Sequence, residues 1–198
     1  MPIVRLPKGS LRDEVRQPLY DTITQAAAES PIGIRQFFSS VQGKSLARTN
    51  LSQNNILPTA VSYRVQGLGF DSQNFYAANK AILPIIMENS SLRLHIGEKD
   101  YWQGNLTYAC GRLWSQFALA GPTLAENVYQ RMGEVAVQAV ILAGKHVIDI
   151  NPLQNFFAEW VVASSDLTGA EVTAATPASS TTVRYLFSLK GLQRRPVQ

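Results

Sequence analysis

Catalysis needs side chains that move protons, hold metals or attack carbon, and this sequence has few of them. It holds two histidines, His95 and His146, and one cysteine, Cys110. His95 falls on the polar side of the alternating segment Leu92-Arg93-Leu94-His95-Ile96, where a solvated surface histidine is expected. His146 follows Gly144-Lys145 and reads as a loop residue. The two are 51 positions apart with no His-x-His pair, which disfavours a two-histidine metal site. A zinc site is equally hard to assemble from one cysteine and two histidines. Gly67-Leu68-Gly69-Phe70-Asp71-Ser72 opens like a dinucleotide-binding loop but lacks the third glycine and a following strand-helix unit, so a bend at a strand end is expected. There is no Walker phosphate loop and no Gly-x-Ser-x-Gly nucleophile elbow. Glu98, Lys99 and Asp100 read as a solvated turn. Tyr101 and Trp102 beside them, with Trp114, could line a groove that stacks a sugar or a base. The same aromatics would also serve as anchors between subunits. These residues assign no catalytic group, no metal, no cofactor and no small-molecule substrate.

The elements that would position such residues read mainly as short strands. Val61, Tyr63 and Val65 alternate with polar neighbours, as do Leu92, Leu94 and Ile96. Val135–Leu142 is an apolar run long enough for a strand covered on both faces. His146–Ile150 and Phe156–Val162 follow, separated by Asn151-Pro152, and Val183–Lys190 is the last alternating run. The spacing of Leu19, Ile23 and Ala27 after Pro18 predicts a short helix over 19–28, and a second helix is predicted over 75–88, shortened or kinked at Pro84. Ser164–Thr182 reads as an exposed loop. No strand-helix alternation and no internal repeat is visible. About eight strands are counted, and the fold class expected is all-β: a single eight-stranded β-jelly-roll, an antiparallel sandwich with one or two short helices and extended basic termini. Val61, Tyr63, Val65, Leu92, Leu94, Ile96, Val137, Ile141, Trp160, Val183, Tyr185 and Phe187 are expected to face inward.

At 198 residues the chain suits one core, with residues 1–17 as an extended arm and 18–198 as the domain. Hydrophobic residues make up 45% and charged residues only 16%, which suits a subunit whose surface is covered by neighbours. The net charge of +4 is uneven: residues 1–48 carry seven basic and four acidic side chains, and residues from 172 onward carry four basic and none acidic. The basic candidates for contacts with neighbouring subunits, a membrane or nucleic acid are Arg5, Lys8, Arg12, Arg16, Arg194 and Arg195. One cysteine allows no intrachain disulfide, and a reducing compartment is expected. No signal peptide and no membrane-spanning apolar run is expected. The sequons at Asn50, Asn89 and Asn105 are expected to be chance matches.

The order of segments carries a resemblance. Arg16-Gln17-Pro18-Leu19-Tyr20-Asp21 is followed by Arg35-Gln36-Phe37-Phe38, then by Lys44-Ser45-Leu46-Ala47-Arg48-Thr49-Asn50-Leu51, and Leu57-Pro58 leads into Val61–Phe70. Leu92–Gly97, Glu98-Lys99-Asp100-Tyr101-Trp102 and Leu106 give central strands. Ile150-Asn151-Pro152-Leu153-Gln154-Asn155-Phe156 leads a late strand, and Gly191 with Arg194-Arg195-Pro196-Val197-Gln198 closes. In this order the chain resembles the virion structural proteins of tailless icosahedral bacteriophages with jelly-roll shells. The resemblance implies a capsid subunit, major or minor, that assembles in the host cytoplasm and resides in the virion. Its implied partners are other copies of itself and other capsid proteins, with an internal membrane or the viral genome reached through the basic termini. The alternative is a carbohydrate- or ligand-binding β-sandwich module.

Overall fold

The computed structural model describes residues 3–5, 11–73, 82–109, 114–117, 129–132 and 148–196. The strands in chain order are β1 (Ile3–Arg5), β2 (Leu11–Arg16), β3 (Leu19–Gln25), β4 (Gly33–Phe37), β5 (Ser62–Gln73), β6 (Ser90–Ile96), β7 (Lys99–Asn105), β8 (Trp114–Phe117), β9 (Tyr129–Met132), β10 (Ile148–Ile150), β11 (Phe156–Val162) and β12 (Val183–Pro196). Three short helices interrupt them: α1 (Ile82–Glu88), α2 (Leu106–Ala109) and α3 (Gly169–Ala174).

The strands form antiparallel sheets. One runs β1–β2–β12–β5–β10, with β3 also on β12, and a second runs β4–β11–β6–β7; β8 and β9 pair with each other. Two period-2 runs define the second sheet. In β6 and in β11 every other residue is buried, from Ser90 to Ile96 and from Phe156 to Val162. The two larger sheets meet through aromatic rings: Phe37 on Phe187 at 5.4 Å between centroids, Phe70 on Trp160 at 5.7 Å, and Trp160 on Tyr185 at 4.7 Å. The molecule is therefore mostly β, with antiparallel sheets packed face to face. No helix among the described residues is long and apolar enough to cross a membrane.

β12 is the spine of the larger sheet. Its first half pairs with β3 on one side, its last five residues pair with β2 on that same side, and β5 runs along the other. Opposite the Lys190–Gly191 step β5 carries one extra residue, Gln66, because Lys190 pairs with Gly67 and Gly191 with Val65. The bulge resets the alternation of β5, so that Tyr63 and Val65 before it and Leu68 and Phe70 after it are all buried. Gly191 is required here, since a Cβ would stand 1.9 Å from the Arg64 carbonyl oxygen. The pair Gly67 and Gly69 lies inside β5, where a bend at its end is expected from the sequence.

Several expectations are corrected. Residues 19–25 are strand, not helix. Leu19 and Ile23 are four apart, which satisfies a period of two as well as one of 3.6, and the inward positions between and after them are Asp21 and Gln25, both fully buried. Leu11–Arg16 are not a free arm but a strand paired with β12. Of the helix expected over 75–88, Ile82–Glu88 is helical and the rest lies outside the described residues. The stretch 164–182 holds a 3-10 turn at Ser164–Asp166 and α3, which carries a Thr168/Glu171 capping box. Nine of the twelve expected core residues, Tyr63, Val65, Leu92, Leu94, Ile96, Trp160, Val183, Tyr185 and Phe187, are buried. Val61 is half-buried just before β5, and Val137 and Ile141 lie outside the described residues.

The three sequon asparagines are engaged through their side-chain amides. Asn50 donates to the Pro18 carbonyl, Asn89 to that of Ile85 and Asn105 to that of Glu88.

Candidate assembly interface

Four of the six basic candidates are brought to one place by backbone pairing. Arg12 and Arg16 on β2 stand opposite Pro196 and Leu192 of β12, the strand that carries Arg194 and Arg195. Arg5 lies one strand further out, opposite Leu11. Lys8 lies outside the described residues. Two basic stretches nearly 180 positions apart in sequence thus meet on adjacent strands of one sheet.

This edge is not a uniform positive field. Arg194 Nε donates to Glu14 Oε1 at 2.7 Å, and Asp13 stands in register with Arg195. Tyr63 and Leu189 point into the core, so Arg64, on the opposite face, belongs to the same outer surface as Arg194. Arg64 in turn binds both carboxylate oxygens of Asp149, at 2.9 and 3.2 Å. That hydrogen bonding, opposed by partial burial and reinforced by the charges of Asp149 and Glu14, holds the Arg64 guanidinium protonated even more firmly than usual. Arg16 and Arg195 remain exposed. The outer surface of β2, β12, β5 and β10 therefore carries two acid–base pairs, Glu14 with Arg194 and Arg64 with Asp149, while Asp13 and Arg195, one residue along each strand, face the other way. Counting net charge along the sequence hides Glu14 and Asp149, whose positions decide this.

The other chemistry-bearing residues fall elsewhere and apart. His95 is not a free solvated side chain: its Nδ1 lies 2.5 Å from Asp100 Oδ1, and its ring stacks on Phe157 at 4.5 Å. Glu98 and Lys99 are exposed around the Gly97 turn, as expected. Tyr101 is the bulged residue between the pairs Leu94–Trp102 and His95–Asp100, and is exposed. Trp102 turns to the opposite face, packs against the core and lies over Gly104. Tyr101 and Trp102 thus do not share a stacking platform. His146 and Cys110 lie outside the described residues, as does the side chain of Trp114. Among the described residues no group of three or more His, Cys, Asp or Glu could hold a metal ion.

Two polar clusters escape sequence reading. Asp21 is fully buried and accepts from the Phe38 N–H and from Lys44 Nζ. Three residues before Phe38, Arg35 sits 5.3 Å over the Trp160 ring and binds Glu29 and the carbonyls of Ser30 and Pro31. Burial would raise the Glu29 carboxyl, but the Ala26 N–H and the Arg35 guanidinium outweigh it and hold it below its ordinary range. Both clusters tie loop segments to strands through hydrogen bonds within the chain.

No protein-family model matches the chain, and no curated protein or solved structure is significantly similar to it.

Proposed function

We propose that this chain is a structural capsid subunit: a jelly roll that self-assembles with other copies of itself, and with other capsid proteins, into the capsomers of an icosahedral bacteriophage shell. One observation carries the reading. Eight strands pair as nested partners, β3 with β12, β4 with β11, β5 with β10 and β6 with β7. Nested pairing of first with last and so on inward is what results when one long antiparallel ribbon wraps into two facing sheets, the wrapping of a jelly roll. That scaffold occurs in viral shells and in lectins alike, so a second feature chooses between them.

The choice rests on surface chemistry. The paired charges on β2, β12, β5 and β10, Glu14 with Arg194 and Arg64 with Asp149, suit another protein surface better than a phosphate backbone or a sugar. Tyr101 and Trp102 lie on opposite faces, which speaks against a glycan groove that both would line. Ile34, Leu46 and Leu153 are 65%, 74% and 57% accessible, single apolar side chains that neighbours in a shell would cover. In this reading the protein acts in the virion, assembles in the host cytoplasm and performs no catalysis.

Sedimentation velocity over a concentration series tests it. Concentration-dependent growth into defined capsomers supports the reading. A single monomeric species throughout, combined with specific glycan binding, would replace it with the carbohydrate-binding module.

A further inference from the structure

β2 is attached to the sandwich differently from β3, although both lie along the same edge of β12. In β3, Leu19, Asp21 and Gln25 are buried. In β2, Asp13, Glu14 and Val15 are only half-buried and Arg16 is exposed. Its partner residues on β12 are similar, with Leu192, Gln193 and Arg194 half-buried and Arg195 and Pro196 exposed. Over residues 13–16, whose side chains are described, β2 is fastened by the main-chain ladder to β12 and the matching of charge across it. Glu14 meets Arg194 at 2.7 Å, and Asp13 stands opposite Arg195.

The link between β2 and β3 has the form of a hinge. Both strands run antiparallel to β12 on the same side, so the chain continues in one direction and is interrupted only at Gln17-Pro18. Both residues are exposed, and Pro18 has no N–H to place in a ladder. The core holds this joint from its own side: Tyr63 Oη lies 2.8 Å from the Gln17 carbonyl oxygen, and Asn50 Nδ2 donates to that of Pro18. The hinge is thus anchored by core side chains, while the strand beyond it is held through its backbone and its charges.

We propose that β1 and β2 form an exchangeable clasp, in which β2 of one copy pairs in the same register with Leu192–Pro196 of a second copy. The exchanged form keeps each ladder bond and each Glu14–Arg194 contact, and changes only the path at Gln17-Pro18. Exchange of an identical element is a low-cost route to association. The clasp requires a second copy of this chain but no shell, so it stands or falls separately from the capsid reading.

A charge-reversal mixing experiment tests it. Glu14→Arg alone sets two arginines against each other, and Arg194→Glu alone sets two glutamates against each other. When the two full-length variants are unfolded together, refolded at high concentration and weighed by native mass spectrometry, exchange yields a heterodimer in which both clasps carry opposite charges. The expected result is a heterodimer in several-fold excess over either homodimer, reduced by added salt. Monomers of both variants, each with the parent's circular dichroism and no heterodimer, would overturn the clasp. Should either variant fail to fold, Asp13→Cys and Arg195→Cys, each combined with Cys110→Ser, keep the Glu14–Arg194 pair intact. Refolded together, they form a disulfide between the two different chains in excess over the like-chain disulfides only if β2 crosses to the other copy, and the lack of that excess overturns the proposal.

Discussion

Asp21, buried on β3, is held by Lys44 of the segment that links β4 to β5: Lys44 Nζ lies 2.7 Å from its carboxylate, and the Phe38 N–H donates to the other oxygen at the same distance. Lys44 Nζ also donates to the Thr22 carbonyl at 2.7 Å. A carboxylate at an inward strand position is costly unless it keeps its partners, and removing one partner of a buried pair typically costs ~3–5 kcal/mol. Lys44 is 22% exposed, which places Lys44→Met near the lower end of that range. Replacing both, as Asp21→Asn with Lys44→Met, should cost less than the sum of the single changes. A double-mutant cycle of denaturant midpoints measures this coupling.

Gly191 is the tightest point of the larger sheet, since its missing Cβ would overlap the Arg64 carbonyl. Gly191→Ala has to move backbone at the bulge between β5 and β12, and should cost at least the ~1–3 kcal/mol of an overpacked core. Gly169→Ala, on α3 with nothing within 4 Å, is the contrasting control and should be neutral or mildly stabilising. Melting temperatures of the two variants check the difference.

Burial drives the phenols of Tyr63 and Tyr185 well above the ordinary value of 10.0. A pKa raised on folding gives stability that is complete below the unfolded pKa and lost as pH rises above it, because only the unfolded chain ionises there. The protein should therefore lose stability progressively above pH 10, with the last of the tyrosinate absorbance, that of the two buried phenols, appearing together with unfolding. Tyr185 donates to Gln25 Oε1 at 2.8 Å, so Tyr185→Phe should cost about 1 kcal/mol at neutral pH while making the alkaline loss shallower. Tyrosinate absorbance that rises fully before the circular dichroism changes would contradict this.

Strict alternation made β6 and β11 legible, because every second residue of Leu92–Ile96 and Phe156–Val162 is apolar and buried. β3 was illegible for the opposite reason. Its inward residues include Asp21 and Gln25, whose partners come from Lys44 and Phe38 in one case and Glu29, Ala175 and Tyr185 in the other, and no local pattern reveals those contacts. β2 has little apolar periodicity, since main-chain pairing and charge matching make it a strand. For the candidate interface, the sequence names Arg12, Arg16, Arg194 and Arg195 but cannot say that they share adjacent strands. Nor can it say that Asp13 and Glu14 stand across from two of them. The Thr168-x-x-Glu171 capping box, by contrast, was available as a helix signal in a stretch whose Ser, Thr and Ala content reads as loop.

The central claim is that the sandwich is a shell subunit, and electron microscopy of the purified full-length protein, concentrated at low salt, tests it most directly. The account predicts rings, capsomers or closed shells of uniform size, with the protomers in repeating contact. Isolated particles of single-chain size at every concentration and salt condition would contradict it.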